Sequence, residues 1–385
     1  MSEPRSKSSR LRELGLVFLR LGATSFGGPA AHIGMMDHEL VSRRQWLTRE
    51  EFLDLIGAAA LIPGPNSTEV AIHVGYRRAG WRGLLIAGTC FIVPACLITW
   101  ALAWTYVRYG SLPEGRSIFY GVRPVIIAVV LQALVGLARS ALHRRDLIAL
   151  AMAGTTASFL GLNELVLLAG SGALAMLVRS SHGSGPGTHG RDGAAPLLLA
   201  LPAAAAPGFG LGALFLFFLK VGAILFGSGY VLLAFLRADL VARWHWLTES
   251  QLMDAIAAGQ ITPGPVFSTA TFVGYLLGRT PGAVLATIGI FLPAFVFVAL
   301  SGPWVARVRG SRSAGAFLDG VNLASLSLMA VVTWQLGRAA IHDVLTALLF
   351  AASGFALFRF RINPAWLMLA GALLGLLAVP FHLAR

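Results

Sequence analysis

The sequence predicts an all-α polytopic membrane protein built of two homologous, inverted repeats. Each repeat is expected to carry about five or six hydrophobic segments, including two broken or re-entrant helices. Three observations lead there. Of the 385 residues 56% are hydrophobic and only 12% charged, about half the charged share of a soluble protein. The chain matches itself at an offset of 200 residues. Two apolar stretches in each half are interrupted by glycine and proline at equivalent places.

Composition excludes a soluble enzyme as the default, and also disorder, which requires low hydrophobicity. The formal net charge is +13, and the 30 basic residues include only two lysines, Lys7 and Lys220. Nucleic acid is not the expected partner. The arginines sit in short clusters between apolar runs rather than along one face, as the positive-inside rule requires. The bilayer is the expected partner. Cys90 and Cys96 are the only cysteines, and six residues apart on a helix they face different directions. Neither a disulfide nor a metal site is expected. Residues 1–13 form a polar, basic tail without a signal-peptide pattern, which predicts a cytoplasmic N-terminus.

The repeat covers 14–179 and 196–385. Phe18-Leu19 matches Phe218-Leu219, Trp46-Leu47-Thr48 matches Trp246-Leu247-Thr248, and Asp54 matches Asp254. From 18 to 65, 18 of 48 ungapped positions are identical, and shared apolar composition does not explain matched Trp, Asp and Pro-Gly-Pro. One deletion shifts the offset to 199, where Val74-Gly75-Tyr76 meets Val273-Gly274-Tyr275. Between the copies, 180–195 is rich in Gly, Ser and Pro and reads as a linker.

The first broken stretch runs from about Leu14 to Met36 and is interrupted at Phe26-Gly27-Gly28-Pro29; its copy is interrupted at Phe226-Gly227-Ser228-Gly229. The second runs from Phe52 to Tyr76 with Pro63-Gly64-Pro65 in its middle, and its copy carries Pro263-Gly264-Pro265. Two prolines around a glycine end a helix. Within a bilayer such backbone is tolerated only where protein or a water-filled cavity surrounds it. Paired breaks in two halves point to a transporter's binding site, the alternative being plain proline kinks. The other apolar segments lie at about 83–107, 119–138 and 146–178, with counterparts at 283–306, 317–337 and 344–380. The last of each set is long enough for a hairpin, with Asn163 or Asn363 at the bend. Loops around 43–49, 77–82 and 139–145 are richer in arginine than their second-half counterparts, which suggests opposed halves.

After the breaks stand Asn66, Ser67 and Thr68 in one half and Ser268 and Thr269 in the other. Such residues cap helix starts, and helix N-termini facing each other make an anion site. Gly27, Gly28, Gly64, Gly227 and Gly264 allow close backbone approach. Arg20 and Lys220 occupy equivalent positions inside the first broken helix; contact with an anion and snorkelling to the interface are both open to them. Glu69 and His73 lie on one helix face and are candidates for a coupled proton, with Glu69 answering the helix dipole as the plainer reading. Asp54 and Asp254 read as members of structural ion pairs. His32 has no repeat partner. Enzyme motifs are absent: there is no HExxH, Walker lysine or GxSxG. No cofactor is expected.

The Phe-Gly-Gly-Pro at 26–29, the Pro-Gly-Pro at 63–65, the following Gly75-Tyr76 and their degenerate second copy resemble the chromate transporter family in its long, two-domain form. The resemblance spans about 14–380. Phe-Gly-Ser-Gly at 226–229 departs from it by lacking the proline. It implies export of chromate across the bacterial inner membrane and chromate resistance. Sulfate is also a tetrahedral dianion, so another oxyanion remains an alternative substrate. An anion channel and a membrane-embedded enzyme are the alternative functions, and a homodimer is a candidate assembly.

Overall fold

The computed structural model describes residues 7–110, 112–142, 145–181, 208–226, 229–309, 312–360 and 362–377. The linker expected at 180–195 lies outside them from residue 182 onward, and so does Gly227. Among the described residues there is no strand. The first repeat contains α1 (Lys7–Thr24), α2 (Gly28–Met36), α3 (Arg49–Ala59), α4 (Asn66–Tyr109), α5 (Pro113–Ala141), α6 (Arg145–Phe159) and α7 (Glu164–Ser181). The second contains α8 (Leu211–Ile224), α9 (Leu232–Phe235), α10 (Glu249–Ile261), α11 (Thr269–Arg309), α12 (Arg312–Ala340), α13 (Val344–Phe360) and α14 (Pro364–Leu377). Among the described residues four helices are long and apolar enough to cross a bilayer: Asn66–Tyr109, Pro113–Arg139, Val266–Ser301 and Ser313–Ala340. α1 begins at Lys7, inside the stretch expected to be a tail.

The interrupted stretches are re-entrant hairpins rather than kinked spans. α1 pairs with α2 and the π-helical turn that follows it at Asp37–Arg43. Near the base Arg44 donates to Glu13 at 2.8 Å. Towards the tip Thr24 and Ala31 line one pocket. α3 likewise pairs with the first arm of α4. Arg77 is ion-paired with Glu51 at the base, and Phe52 packs in one apolar cluster with Val70, Ala71 and Val74. Trp46 lies at the base of this second hairpin, where the Arg78 guanidinium covers its ring at 3.7 Å, while Arg78 also pairs with Glu13 of the first hairpin. Both hairpins therefore enter from one side.

Local sequence explains these turns. Thr48 and Glu51 form a reciprocal capping box that starts α3, and Thr248 and Gln251 do the same for α10; such a cap contributes about 1 kcal/mol. α4 breaks at Ala79-Gly80, where Gly80 has φ +60°. There the chain reverses, and Gly75 and Gly83 sit backbone to backbone where any Cβ would collide. The longer arm, 81–109, returns through the protein against α1. Asn163 and Asn363 stand at the bends between α6 and α7 and between α13 and α14. Each side-chain oxygen accepts a backbone N–H two residues on, the Asx turn expected of a short helical hairpin.

The two repeats run in opposite directions. Gly88 meets Phe295, and Cys96 hydrogen-bonds with Thr287, so the long arms of α4 and α11 cross antiparallel. Equivalent helices that are antiparallel along the bilayer normal are the arrangement of inverted repeats. The terminal hairpins are exchanged: α6 and α7 pack on α12, while α13 and α14 pack on α5. The contact is close in both copies, with Gly121 against the Gly371 carbonyl and Gly320 against the Ser171 carbonyl.

Candidate functional site at the hairpin tips

The four hairpin tips meet between the repeats. The Gly64 N–H donates to the Leu225 carbonyl at 2.8 Å, and the equivalent Gly264 N–H donates to the Ser25 carbonyl at 2.8 Å. Each Pro-Gly-Pro thus docks on the first break of the opposite repeat. Both glycines have left-handed φ values, +139° and +87°, which favour glycine strongly. Each is also crowded. A Cβ on Gly64 would collide with the Glu69 carboxylate, and one on Gly264 would come within 2.9 Å of Ala95. The prolines flanking them, Pro63, Pro65, Pro263 and Pro265, end one helix and leave the next to begin afresh.

Around the first-repeat tips the polar side chains are buried and unsatisfied. The Ser25 hydroxyl, the Thr68 hydroxyl, both Glu69 oxygens, His32 Nε2 and His73 Nε2 have no hydrogen-bond partner among the described residues. Ser25 is 1% exposed, His32 1%, Thr68 and Glu69 0%. His32 Nδ1 is engaged with the Ser67 hydroxyl at 3.1 Å, and the ring also interacts with the Ser25 backbone. Buried polar groups are ordinarily paired, so a cluster of orphans marks a place where something else supplies the partner. The backbone agrees. Gly27 and Gly28 have φ +106° and +78°, and α2 starts without a side-chain cap, leaving its first N–H groups for another acceptor. Asn66 is half-buried at the start of α4, and Phe26 and Gly27 are exposed.

The second-repeat tips are closed. Residues 262–270 are all buried. The Thr99 hydroxyl lies within hydrogen-bond distance of both Thr262 (3.3 Å) and Ser268 (3.2 Å), and Thr269 donates to the Val266 carbonyl at 2.8 Å. Phe267 fills the place of Ser67 and packs, tilted, against Phe291 with ring centroids 6.2 Å apart. Tyr230 donates to Gln260 at 3.3 Å, and its hydroxyl lies near Gly28 of the first repeat.

The two cations predicted from sequence have different surroundings. Lys220 is ion-paired with Asp239 at 2.7 Å, and Asp239 also binds Arg243. Arg20 is exposed and lines a cavity of about 390 Å³ with Thr24, His38 and Glu39, in the groove of the first hairpin below its tip. Burial would raise the Glu39 carboxyl, but hydrogen bonds from Arg44 and Arg43 outweigh it and hold the pKa below its ordinary value. Asp254 is structural: Arg123 clamps it with two bonds of 2.9 Å and Tyr106 donates at 3.0 Å. Asp54 is exposed. The structure therefore sets Gly64 against Glu69 and Ser67 against His32, places Gly28 near Tyr230 of the opposite repeat, sets Arg20 apart in the groove, and leaves Lys220 occupied. Sequence reasoning passed over Ser25 and gave His32 no role. The signal was present: in the repeat alignment Ser25, His32, Ser67 and His73 face Leu225, Leu232, Phe267 and Phe272.

A family model for chromate transporters matches residues 12–176 and again 212–376, one match per repeat. A chromate transport protein of Cupriavidus metallidurans is 34% identical over 381 residues, covering 96% of this chain and 94% of the relative. A probable chromate transport protein of Synechococcus elongatus is 33% identical, covering 88% of each. One from Pseudomonas aeruginosa is 30% identical, covering 94% of this chain and 91% of the relative. No solved structure matches the chain. With two family matches laid over two repeats of re-entrant hairpins, the chain belongs to the chromate transporter family of multi-pass membrane transporters.

Proposed function

We propose that this chain exports chromate, or a tetrahedral dianion like it, across the bacterial inner membrane and thereby confers chromate resistance. The observation that carries the reading is the cluster of unsatisfied buried groups at the first-repeat tips. Hydroxyls, an imidazole N–H and helix-start amides are the donors that suit an oxyanion with no protons of its own. The relatives named for chromate transport supply the choice of anion. Sulfate has the same charge and shape, and it is the substrate to compare first.

With the first repeat's basic hairpin bases on the cytoplasmic side, Arg20 stands in a groove leading from that side towards the tips. A negative-inside potential then drives the anion outward by about 2.3 kcal/mol per charge per 100 mV, and a dianion by about twice that. Glu69, buried against Gly64 with both oxygens unpartnered, is the candidate for a coupled proton, with His73 one turn further along the same helix face. A proton on Glu69 would turn an acceptor into a donor facing the anion.

The test is uptake of labelled chromate and sulfate into inverted vesicles, with potential and pH gradients imposed separately. Saturable uptake of chromate, stimulated by an interior-positive potential, is expected. Uptake unaffected by a pH gradient removes Glu69 from coupling. Currents far above alternating-access rates would turn the reading into an anion channel.

A further inference from the structure

We propose that the protein holds one oxyanion site rather than two, and that His32 Nε2 is its central side-chain donor, with the Ser25 and Thr68 hydroxyls beside it. This rests on the oxyanion-transport reading and deepens it. Duplication alone would give two equivalent sites, one behind each pair of tips. The residues say otherwise. In the second repeat the equivalents of Ser25, His32 and Ser67 are Leu225, Leu232 and Phe267, all buried, and no donor remains at those three positions. The hydroxyls that follow the second-repeat Pro-Gly-Pro or precede it, on Thr262, Ser268 and Thr269, are engaged with Thr99 or with backbone carbonyls.

His32 is placed to act. It is the fifth residue of α2, and helical side chains lean back towards the helix N-terminus. Its ring therefore leans towards Gly27-Gly28 and the uncapped first turn. Phe91 packs on the ring edge-on at 5.8 Å, and Ser67 holds Nδ1 at 3.1 Å. If the Ser67 hydroxyl donates to Nδ1, the ring hydrogen sits on Nε2, the atom that is buried with no partner. A donor fixed in orientation before the anion arrives loses little entropy on binding it. Ser25, at the end of α1, and Thr68, leaning back towards Pro65 from the first turn of α4, add two more orphaned hydroxyls. Tyr230 and Gln260 from the opposite repeat close the Gly28 side.

The experiment is calorimetric titration of chromate, and separately sulfate, into the full chain in lipid nanodiscs, with chromate KM measured in proteoliposomes. The wild type should bind one equivalent per chain. His32→Ala should weaken binding and raise KM about tenfold or more, the loss expected for a hydrogen bond to a charged group, with the maximal rate retained. His32→Gln, which keeps an N–H within reach, should recover most of that loss. Two equivalents per wild-type chain, or unchanged affinity in a folded His32→Ala chain, would overturn the proposal while leaving oxyanion transport intact. A wild type that neither binds nor moves any oxyanion would instead overturn the transport reading, and this inference with it. If His32→Ala does not fold, the stoichiometry and His32→Gln decide: a tenfold loss in the amide variant contradicts a simple donor role.

Discussion

The tips of the first repeat and the tips of the second share a backbone and differ in chemistry. Both place a glycine of left-handed φ between two prolines, and both dock it by one N–H on a carbonyl of the opposite repeat. Around the first, six buried polar atoms on five residues lack partners among the described residues. Around the second, side chains are apolar or hydrogen-bonded, with the Gln260 amide nitrogen the exception among the described residues of those tips. Duplication supplied the scaffold twice, and divergence left one copy polar while packing the other. The second copy then serves as the wall against which the first is held.

This contrast predicts opposite consequences for similar mutations. The largest effect is expected where a second-repeat charge is structural. Asp254→Asn leaves Arg123 without its bidentate partner, and breaking a buried pair costs about 3 kcal/mol or more; thermal melting in detergent should fall steeply. Thr68→Val comes next. It removes an orphaned hydroxyl from the first-repeat tips, so chromate transport should fall about tenfold while melting stays level or rises. Smallest is Thr262→Val, which removes one of the two hydroxyls that Thr99 reaches in the second repeat. It should lower stability by about 1 kcal/mol and leave chromate KM unchanged. A Thr262→Val protein with intact stability and lost transport would break the comparison.

Much of the architecture was legible in the sequence because its signals are local or periodic. Pro-Gly-Pro interrupts a helix wherever it stands, Thr48 and Thr248 cap the helices that begin after them, and Asn163 and Asn363 turn a hairpin. Re-entry was open as one of two readings; the deciding feature is side-chain pairing across each hairpin, such as Glu51 with Arg77, which no single segment reveals. The exchange of terminal hairpins between repeats was hidden for a related reason. α7 and α14 bury glycine-lined faces on helices distant in sequence, and spacing does not name that partner. At the site, Arg20 and Lys220 looked equivalent by alignment. Their difference comes from their carboxylate neighbours in space: Asp239 binds Lys220, while Glu39, its counterpart, is taken by Arg43 and Arg44.

The opposed orientation of the hairpins underlies all of this, because only tips entering from opposite faces can meet and dock as Gly64 on Leu225 and Gly264 on Ser25 do. Single cysteines placed at Gln45 and His245, in a chain with Cys90 and Cys96 replaced by alanine, test it directly with an impermeant thiol reagent on intact cells. The account predicts that position 245 is labelled from outside and position 45 only after the membrane is opened. Labelling of both positions from the same side would contradict it.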